Sequence, residues 1–322
     1  MILIVGQNSV WQKLCILPRL ERGEVNRVRD ARVYAAGKGV NAARAAVAMG
    51  AEAMVLGYAG GVCGQLFMDD LSREGIRGDW TRIEAETRIC TTFAEEDGLS
   101  TEVIEPAPRV SDGERAGFLR TFMRRVYGAA FLIISGTTVE GESEDCYAAY
   151  IAEAHTRSIP VLLDSACAAA RRALSESPEI LKVNVKELAL LLGSPVDGHG
   201  DRREAYTELA RTYGIRWIIA TDGAQGMEGF DGSRILRAVP PRIRPVKTIG
   251  GGDAAAAGIA LSMLEQAGAE RRPPAGASLE QALIMAAAMG TASCLQTVGG
   301  GIDKAEYLSI RNGVTVREVP PS

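Results

Sequence analysis

Three short segments carry the side chains that could do chemistry. The first is TIGGGDAAAAGIALSML, residues 248–264, where three consecutive glycines precede an aspartate and a run of helix-forming residues. A helix N-terminus presents unpaired N–H groups and the positive end of the helix dipole. Glycines let that backbone approach an anion closely. Gly250, Gly251 and Gly252 therefore read as an anion site, with Asp253 beside it as a carboxylate able to take a proton from a nucleophile. A tight turn capped by Asp253 needs the same residues, so the motif alone leaves both readings open.

The second segment, YAAGKGVNAARAAVAMG (34–50), is another Gly-rich entry to a helix. It is not a P-loop, because Arg32 stands where a Gly is required and Gly39 follows Lys38 where Ser or Thr should be. Ala42 replaces the third Gly of a dinucleotide fingerprint, which argues against a nicotinamide oxidoreductase. Asn41, in the first turn, is either a hydrogen-bond partner for a ligand hydroxyl or an exposed helical Asn. The third segment, KVNVKEL (182–188), ends a strand at Asn184 and puts Glu187 in the first turn of a helix. That spacing aims an amide and a carboxylate at one place, suited to a hydrated Mg²⁺. It is equally a capping box, and both readings can hold together.

These segments need elements to position them. Continuous apolar runs at 1–6, 53–60, 130–135, 160–164, 180–185 and 215–221 predict central strands covered on both faces. Between them, helical spacing predicts helices over 41–50, 63–75, 113–128, 143–157, 185–193, 203–214, 253–268 and 278–296. In the 113–128 segment the repeating apolar residues are Phe118, Leu119, Phe122, Met123 and Val126. Gly50, Gly75, Gly193, Gly214 and Gly268 sit where C-terminal caps are wanted. The alternation gives an α/β class with a doubly wound, mainly parallel sheet flanked by helices. Short alternating patterns at about 10–36 and 87–105 break the rhythm and predict antiparallel hairpins. They read as a small β lid made of two insertions in a single domain spanning 1–322. RRPPAG (271–276) reads as a loop between two helices.

Composition narrows the function. A net charge of -4 without a basic stripe, and only 5% aromatic residues, argue against nucleic-acid binding. His155 and His199 are the only histidines, and neither sits in a zinc or Ser-His-Asp motif. The six cysteines form no CxxC pair and read as buried, reduced thiols. The longest apolar run, 254–264, falls short of the ~20 residues of a membrane span. MILIVGQ looks like a strand and not a signal peptide. The expectation is a cytoplasmic protein without a membrane partner.

Taken together, the three segments stand in a familiar order. The chain resembles the ribokinase/PfkB family of carbohydrate kinases over nearly its whole length. The resemblance is carried by residues 35–76, ISGT (134–137), LLDSA (162–166), KVNVKEL, TDGAQGM (221–227) and TIGGGDAAAAG. GEVNRV (23–28), Lys38 and the TR at 87–88 point to the hexose-phosphate branch, which includes 1-phosphofructokinase and tagatose-6-phosphate kinase. The resemblance implies a ribokinase-like core with a β lid often used for dimerisation, hence a homodimer. It also implies ATP-dependent transfer to a sugar or sugar-phosphate hydroxyl, with Mg²⁺. By motif, Asp253 would be the general base and Gly250, Gly251 and Gly252 the anion hole. Gly37, Lys38 and Asn41 would face the sugar, and Arg88 its phosphate. Asn184 and Glu187 would arrange Mg²⁺ through water. Lys182 and Thr221 would lie near the ATP phosphates, with Gly223 and Gly226 shaping the nucleotide loop. The alternatives are a nucleoside kinase or a non-catalytic sensor on the same scaffold, although a pure binder has no need of a general base.

The sequence departs from the branch at sugar-facing positions. Gln12 stands where the family has an Asp that binds sugar hydroxyls, Cys90 where it tends to have Asn, and SGTTVEG (135–141) replaces its usual turn. An amide offers a donor as well as an acceptor, so Gln12 is expected to meet a substrate group that wants a donor, such as a carbonyl.

Overall fold

The computed structural model describes residues 1–196, 198–268 and 276–320. The expected loop at 271–276 falls almost wholly outside the described residues. The chain opens with β1 (Ile2–Asn8), β2 (Val10–Leu17), β3 (Asp30–Ala36), α1 (Lys38–Ala48), β4 (Ala53–Gly60) and α2 (Gly61–Arg73). It continues through β5 (Arg77–Ile83), β6 (Ile89–Glu95), β7 (Ser100–Ile104), α3 (Asp112–Val126), β8 (Phe131–Ser135) and α4 (Cys146–Thr156). Next come β9 (Val161–Asp164), α5 (Ala168–Ala173), β10 (Ile180–Asn184), α6 (Val185–Leu192), α7 (His199–Tyr213) and β11 (Trp217–Thr221). The last elements are β12 (Met227–Phe230), β13 (Ile235–Val239), α8 (Gly251–Ala267), α9 (Leu279–Cys294), α10 (Lys304–Gly313) and β14 (Thr315–Val319).

Ten strands form one sheet in the order β14-β13-β12-β11-β10-β9-β8-β1-β4-β5. From β11 through β5 every pairing is parallel, while β12, β13 and β14 add an antiparallel edge. Side chains on a strand alternate between faces, and here both faces are dry. Ile2, Ile4, Phe131 and Ile133 enter the core against α1, α2, α8, α9 and α10. Leu3, Val5, Leu132 and Ile134 enter the opposite core, against α3 to α7. That double burial explains the unbroken apolar runs.

Each expected helix is present. In α3, however, the buried stripe is Phe118, Phe122 and Val126, while Leu119 and Met123 are exposed. The five expected capping glycines all have positive φ, and Gly193 and Gly214 close α6 and α7 in the left-handed conformation. All six cysteines are free, but Cys63, Cys167 and Cys294 are only partly buried, since they sit near element ends and not in core strands.

A second sheet has the order β3-β2-β6-β7. Its outer pairs are antiparallel and its central pair, β2 with β6, is parallel. The register places Gln12 opposite Tyr34 and Cys90, and Cys90 opposite Ile104. With a period of two, Val10, Gln12, Tyr34, Ala36, Cys90, Glu102 and Ile104 therefore share one face.

Candidate active site

That face roofs a cleft of about 530 Å³. The floor consists of the C-terminal ends of β1, β8, β10 and β11, with the first turns of α1, α6 and α8. This is where open parallel sheets place their ligands. The structure brings Gln12, Gly37, Lys38, Asn41, Arg88, Lys182, Asn184, Glu187, Thr221, Gly250, Gly252 and Asp253 to this one cleft. Three expected residues do not line it. Gly251 turns toward Gly290 and Cys294 of α9. Gly223 and Gly226 form the turn after β11, where Gly226 accommodates the carbonyl of Ala238.

Helix α8 begins differently from a side-chain-capped helix. Its N-cap is Gly250, at φ 90°, and no side chain caps it. Gly251, Gly252 and Asp253 are the first three helical residues, so Asp253 is not the cap. Their N–H groups thus have no intrahelical acceptor. A side chain on Gly250 would begin 2.8 Å from the α-carbon of Gly299, and one on Gly252 would begin 3.3 Å from Nζ of Lys182. The two glycines let a neighbouring loop and an ammonium crowd the positive end of the helix.

Asp253 is buried and accepts a hydrogen bond from Nδ2 of Asn41 at 2.8 Å. Burial pushes its carboxyl pKa up, nearby Asp164 adds to the rise, and Lys38, Asn41 and Lys182 partly oppose it. Asn41 is therefore neither exposed nor free. Nζ of Lys182 lies 2.8 Å from Oδ1 of Asp164, and Oγ of Ser135 donates to the other oxygen at 3.0 Å. Burial would raise the Asp164 pKa, but Lys182, Lys38 and Ser135 outweigh it and hold the group below the usual carboxylate range. Lys38 is held above its ordinary value, first by Asp164 and, against burial, also by Asp253 and Glu187.

Asn184 and Glu187 form a reciprocal capping box on α6, with both hydrogen bonds at 2.8 Å. The other carboxylate oxygen of Glu187 meets Nζ of Lys38 at 3.0 Å. Among the described residues there is no cluster of three His, Cys, Asp or Glu side chains that could hold a metal directly. The set fits a hydrated Mg²⁺ reached through water, since each oxygen keeps a lone pair for a water molecule.

At the other end of the cleft, Arg88 has one weak bond, from Nη1 to the carbonyl of Glu105 at 3.4 Å. Its buried Nε has no partner among the described residues, and burial lowers the guanidinium pKa. Asn8 donates to Thr137 at 3.1 Å, while its buried Oδ1 has no partner among the described residues. Gln12 corrects the sequence expectation. Its Nε2 donates to Oγ1 of Thr92 at 2.9 Å and to the carbonyl of Lys13 at 3.3 Å. A carbonyl can only accept, so the amide NH₂ is committed to the protein and the oxygen remains as acceptor.

Sequence reasoning missed Asp164, Ser135, Asn8, Tyr34, Glu102 and Lys247. An Asp ending an apolar strand, as in LLDSA, was the available signal for Asp164. Lys247 is 3% exposed and donates to the carbonyl of Ile249 at 2.9 Å. Burial brings its pKa down to about 8, with Arg44 lowering it further and Cys294, Asp253 and Glu102 opposing.

Residues 9–304 match the family model described as pfkB family carbohydrate kinase. Phosphofructokinase-2 from Escherichia coli, in complex with substrates and products, has a TM-score of 0.87 at 23% identity, covering 97% of this chain and 98% of that one. A Thermotoga maritima protein described as a possible 1-phosphofructokinase has a TM-score of 0.87 at 18% identity, covering 99% of each chain. Ribokinase from Arabidopsis thaliana, complexed with ribose and ATP, has a TM-score of 0.74 at 20% identity, covering 96% of this chain and 98% of that one. The fold is ribokinase-like.

Proposed function

The chain belongs to the pfkB family of carbohydrate kinases, and from that premise we propose that it transfers the γ-phosphoryl group of ATP to a hydroxyl of a hexose phosphate. The observation that carries this reading is Asp253, a buried carboxylate in the first turn of a helix that opens on three glycines. Phosphoryl transfer needs alignment and charge neutralisation more than covalent help. The free N–H groups of Gly251 and Gly252 would hold charge developing on the transferred group, with Lys182 beside them. Asp253 would take the proton of the attacking hydroxyl, and a raised pKa makes it a better acceptor near neutral pH. A hydrated Mg²⁺ held by Asn184 and Glu187 would neutralise nucleotide phosphate charge. Thr221 lines the cleft and would lie near the nucleotide phosphates, and Gly223 and Gly226 shape the turn after β11.

Arg88 is the cation for a phosphate already on the acceptor, a role supported by its unpartnered buried Nε. Gln12 and Asn8 present acceptor oxygens, which suits sugar hydroxyls. Lys38 and Gly37 line the cleft and would face the sugar. The four-stranded sheet would act as a lid on a single kinase unit and exclude water that competes with the sugar. Its opposite face exposes Val33 and Val103, which supports a homodimer formed through the lid. Among the described residues no helix is long and apolar enough to cross a membrane, and we place the enzyme in the cytoplasm. The test is ATP consumption by the purified protein with fructose 1-phosphate, fructose 6-phosphate, tagatose 6-phosphate, free sugars and nucleosides. Turnover is expected with a sugar phosphate. A nucleoside or free sugar as the best acceptor, or no turnover with any of them, overturns the reading.

A further inference from the structure

Arg44, three residues beyond Asn41 on α1, plays no part in the transfer described above, and it does not line the cleft. Its guanidinium is nevertheless fully engaged. Nε and Nη2 fork onto the carboxylate of Glu74, the C-cap of α2, at 2.6 and 3.0 Å. Nη2 also donates to the carbonyl of Ala35 at 2.7 Å. Nη1 donates to the carbonyl of Gly299 at 2.7 Å and to Oδ1 of Asn41 at 3.4 Å. A guanidinium has five N–H donors and no acceptor. The Asn41 oxygen must therefore face Arg44, which turns the Asn41 NH₂ toward Asp253, where it is found. The carbonyl held by Nη1 belongs to the loop that backs Gly250. One guanidinium thus orients the amide that meets Asp253 and pins the loop behind the N-cap of α8.

We propose that Arg44, held in place by Glu74, is a positioning residue for phosphoryl transfer, fixing the Asn41 amide as a hydrogen-bond donor to Asp253. The proposal rests on the reading of Asp253 as general base. Asp253 is also faced by Lys38 of α1, Asp164 of β9 and Lys182 of β10, and Lys247 feels its charge. None of those groups is hydrogen-bonded to Arg44, so a change at Arg44 or Glu74 reaches Asp253 by hydrogen bonds through Asn41, and otherwise through the Gly299 loop behind Gly250 and the Arg44 charge felt by Lys247. A hydrogen bond to a carboxylate favours its charged form. Losing the bond moves the acid limb of the kcat profile to higher pH.

Two variants test this, Arg44→Lys and Glu74→Gln, each compared with the natural protein for kcat, both KM values, the kcat–pH profile and thermal melting. The expected result is a kcat about tenfold to a hundredfold lower, an ATP KM within about twofold of the natural value, and an acid limb displaced to higher pH. An ion pair that is only structural lowers the melting temperature and leaves the limb where it was, and that result overturns the proposal. If Arg44→Lys does not fold, Glu74→Gln decides alone. A failure of the general-base reading shows separately: Asp253→Asn would then retain turnover, whereas failure of the present proposal leaves Asp253→Asn inactive and the limb unmoved in Glu74→Gln.

Discussion

Lys182 and Asp164 face each other at 2.8 Å, withdrawn from solvent, and the same ammonium stands against Gly252 at the head of α8. Removing one member of such a pair leaves a buried charge alone, which costs ~3–5 kcal/mol. Asp164 keeps Ser135 and Lys38 as partners, so Lys182→Met is expected to lose somewhat less than that and to abolish turnover. The pair Lys182→Met and Asp164→Leu should recover most of the stability and none of the activity. Denaturant unfolding of the two proteins checks this, and a double variant no more stable than Lys182→Met would show that the residues do not act as a pair.

Asp253→Asn keeps the shape of the side chain and removes the base. Turnover should fall by ~10²–10⁴-fold, the usual consequence of losing a general base, while the fold and ATP binding are retained. Because Gly250 and not Asp253 is the N-cap, no capping loss is expected in thermal melting. Near-natural turnover would remove Asp253 from the mechanism.

Arg88→Ala should raise KM strongly for a phosphorylated acceptor and leave the KM for ATP nearly unchanged. The missing partner at Nε is the reason to expect a large effect: nothing among the described residues competes for that donor. Equal KM changes for the two substrates would place Arg88 outside the acceptor's phosphate site.

Strands β1, β4 and β8 to β11 were legible because both faces are dry, so their residues are mostly apolar, with Lys182 and Asp164 the buried charged exceptions. Strand β7 was legible from the alternating pattern at 87–105, although all five of its residues are exposed. Strands β5, β12, β13 and β14 escaped: β5 and β14 are largely exposed, and β12 interrupts its four residues with Glu228, buried against Tyr206 and Arg202. The glycine-opened helices were legible because glycine has few other reasons to cluster before a helix. The partnerships were not. Asn41 and Asp253 lie 212 residues apart, and no local pattern announces their contact. The orientation of the Gln12 amide depended on the carbonyl of its own neighbour and on Thr92 across the sheet, both invisible before pairing was known.

Lys247 offers a test through pH. Its pKa is about 8 in the folded protein, below the ordinary lysine value. The unfolded chain therefore binds the proton more tightly, and stability rises with pH between about 8 and about 10.4. Below that window the folded protein carries the full cost of a buried charge. Lys247→Met should relieve roughly 3 kcal/mol of it at neutral pH and lose about 1 kcal/mol from the bond to Ile249, a net gain of about 2 kcal/mol. The difference in unfolding free energy between variant and natural protein should shrink as pH rises from 7 to 10. A difference that stays constant over that range would show that the ammonium is not penalised by its surroundings.

Helix α8 lies almost wholly inside the protein, its small residues pressed between α1 and α9, and a side chain begun on Gly258 would meet the α-carbon of Ala286 at 2.9 Å. Seventeen residues make a rod of about 25 Å, and its tip carries Gly251, Gly252 and Asp253. A rod held in a tight sleeve cannot swing at its tip without moving along its length. The aim of the reacting groups is thus set partly by alanines and a glycine far from any ligand, and an added methyl group at Gly258 would act as a wedge, steering the tip off target while leaving every residue that touches substrate untouched.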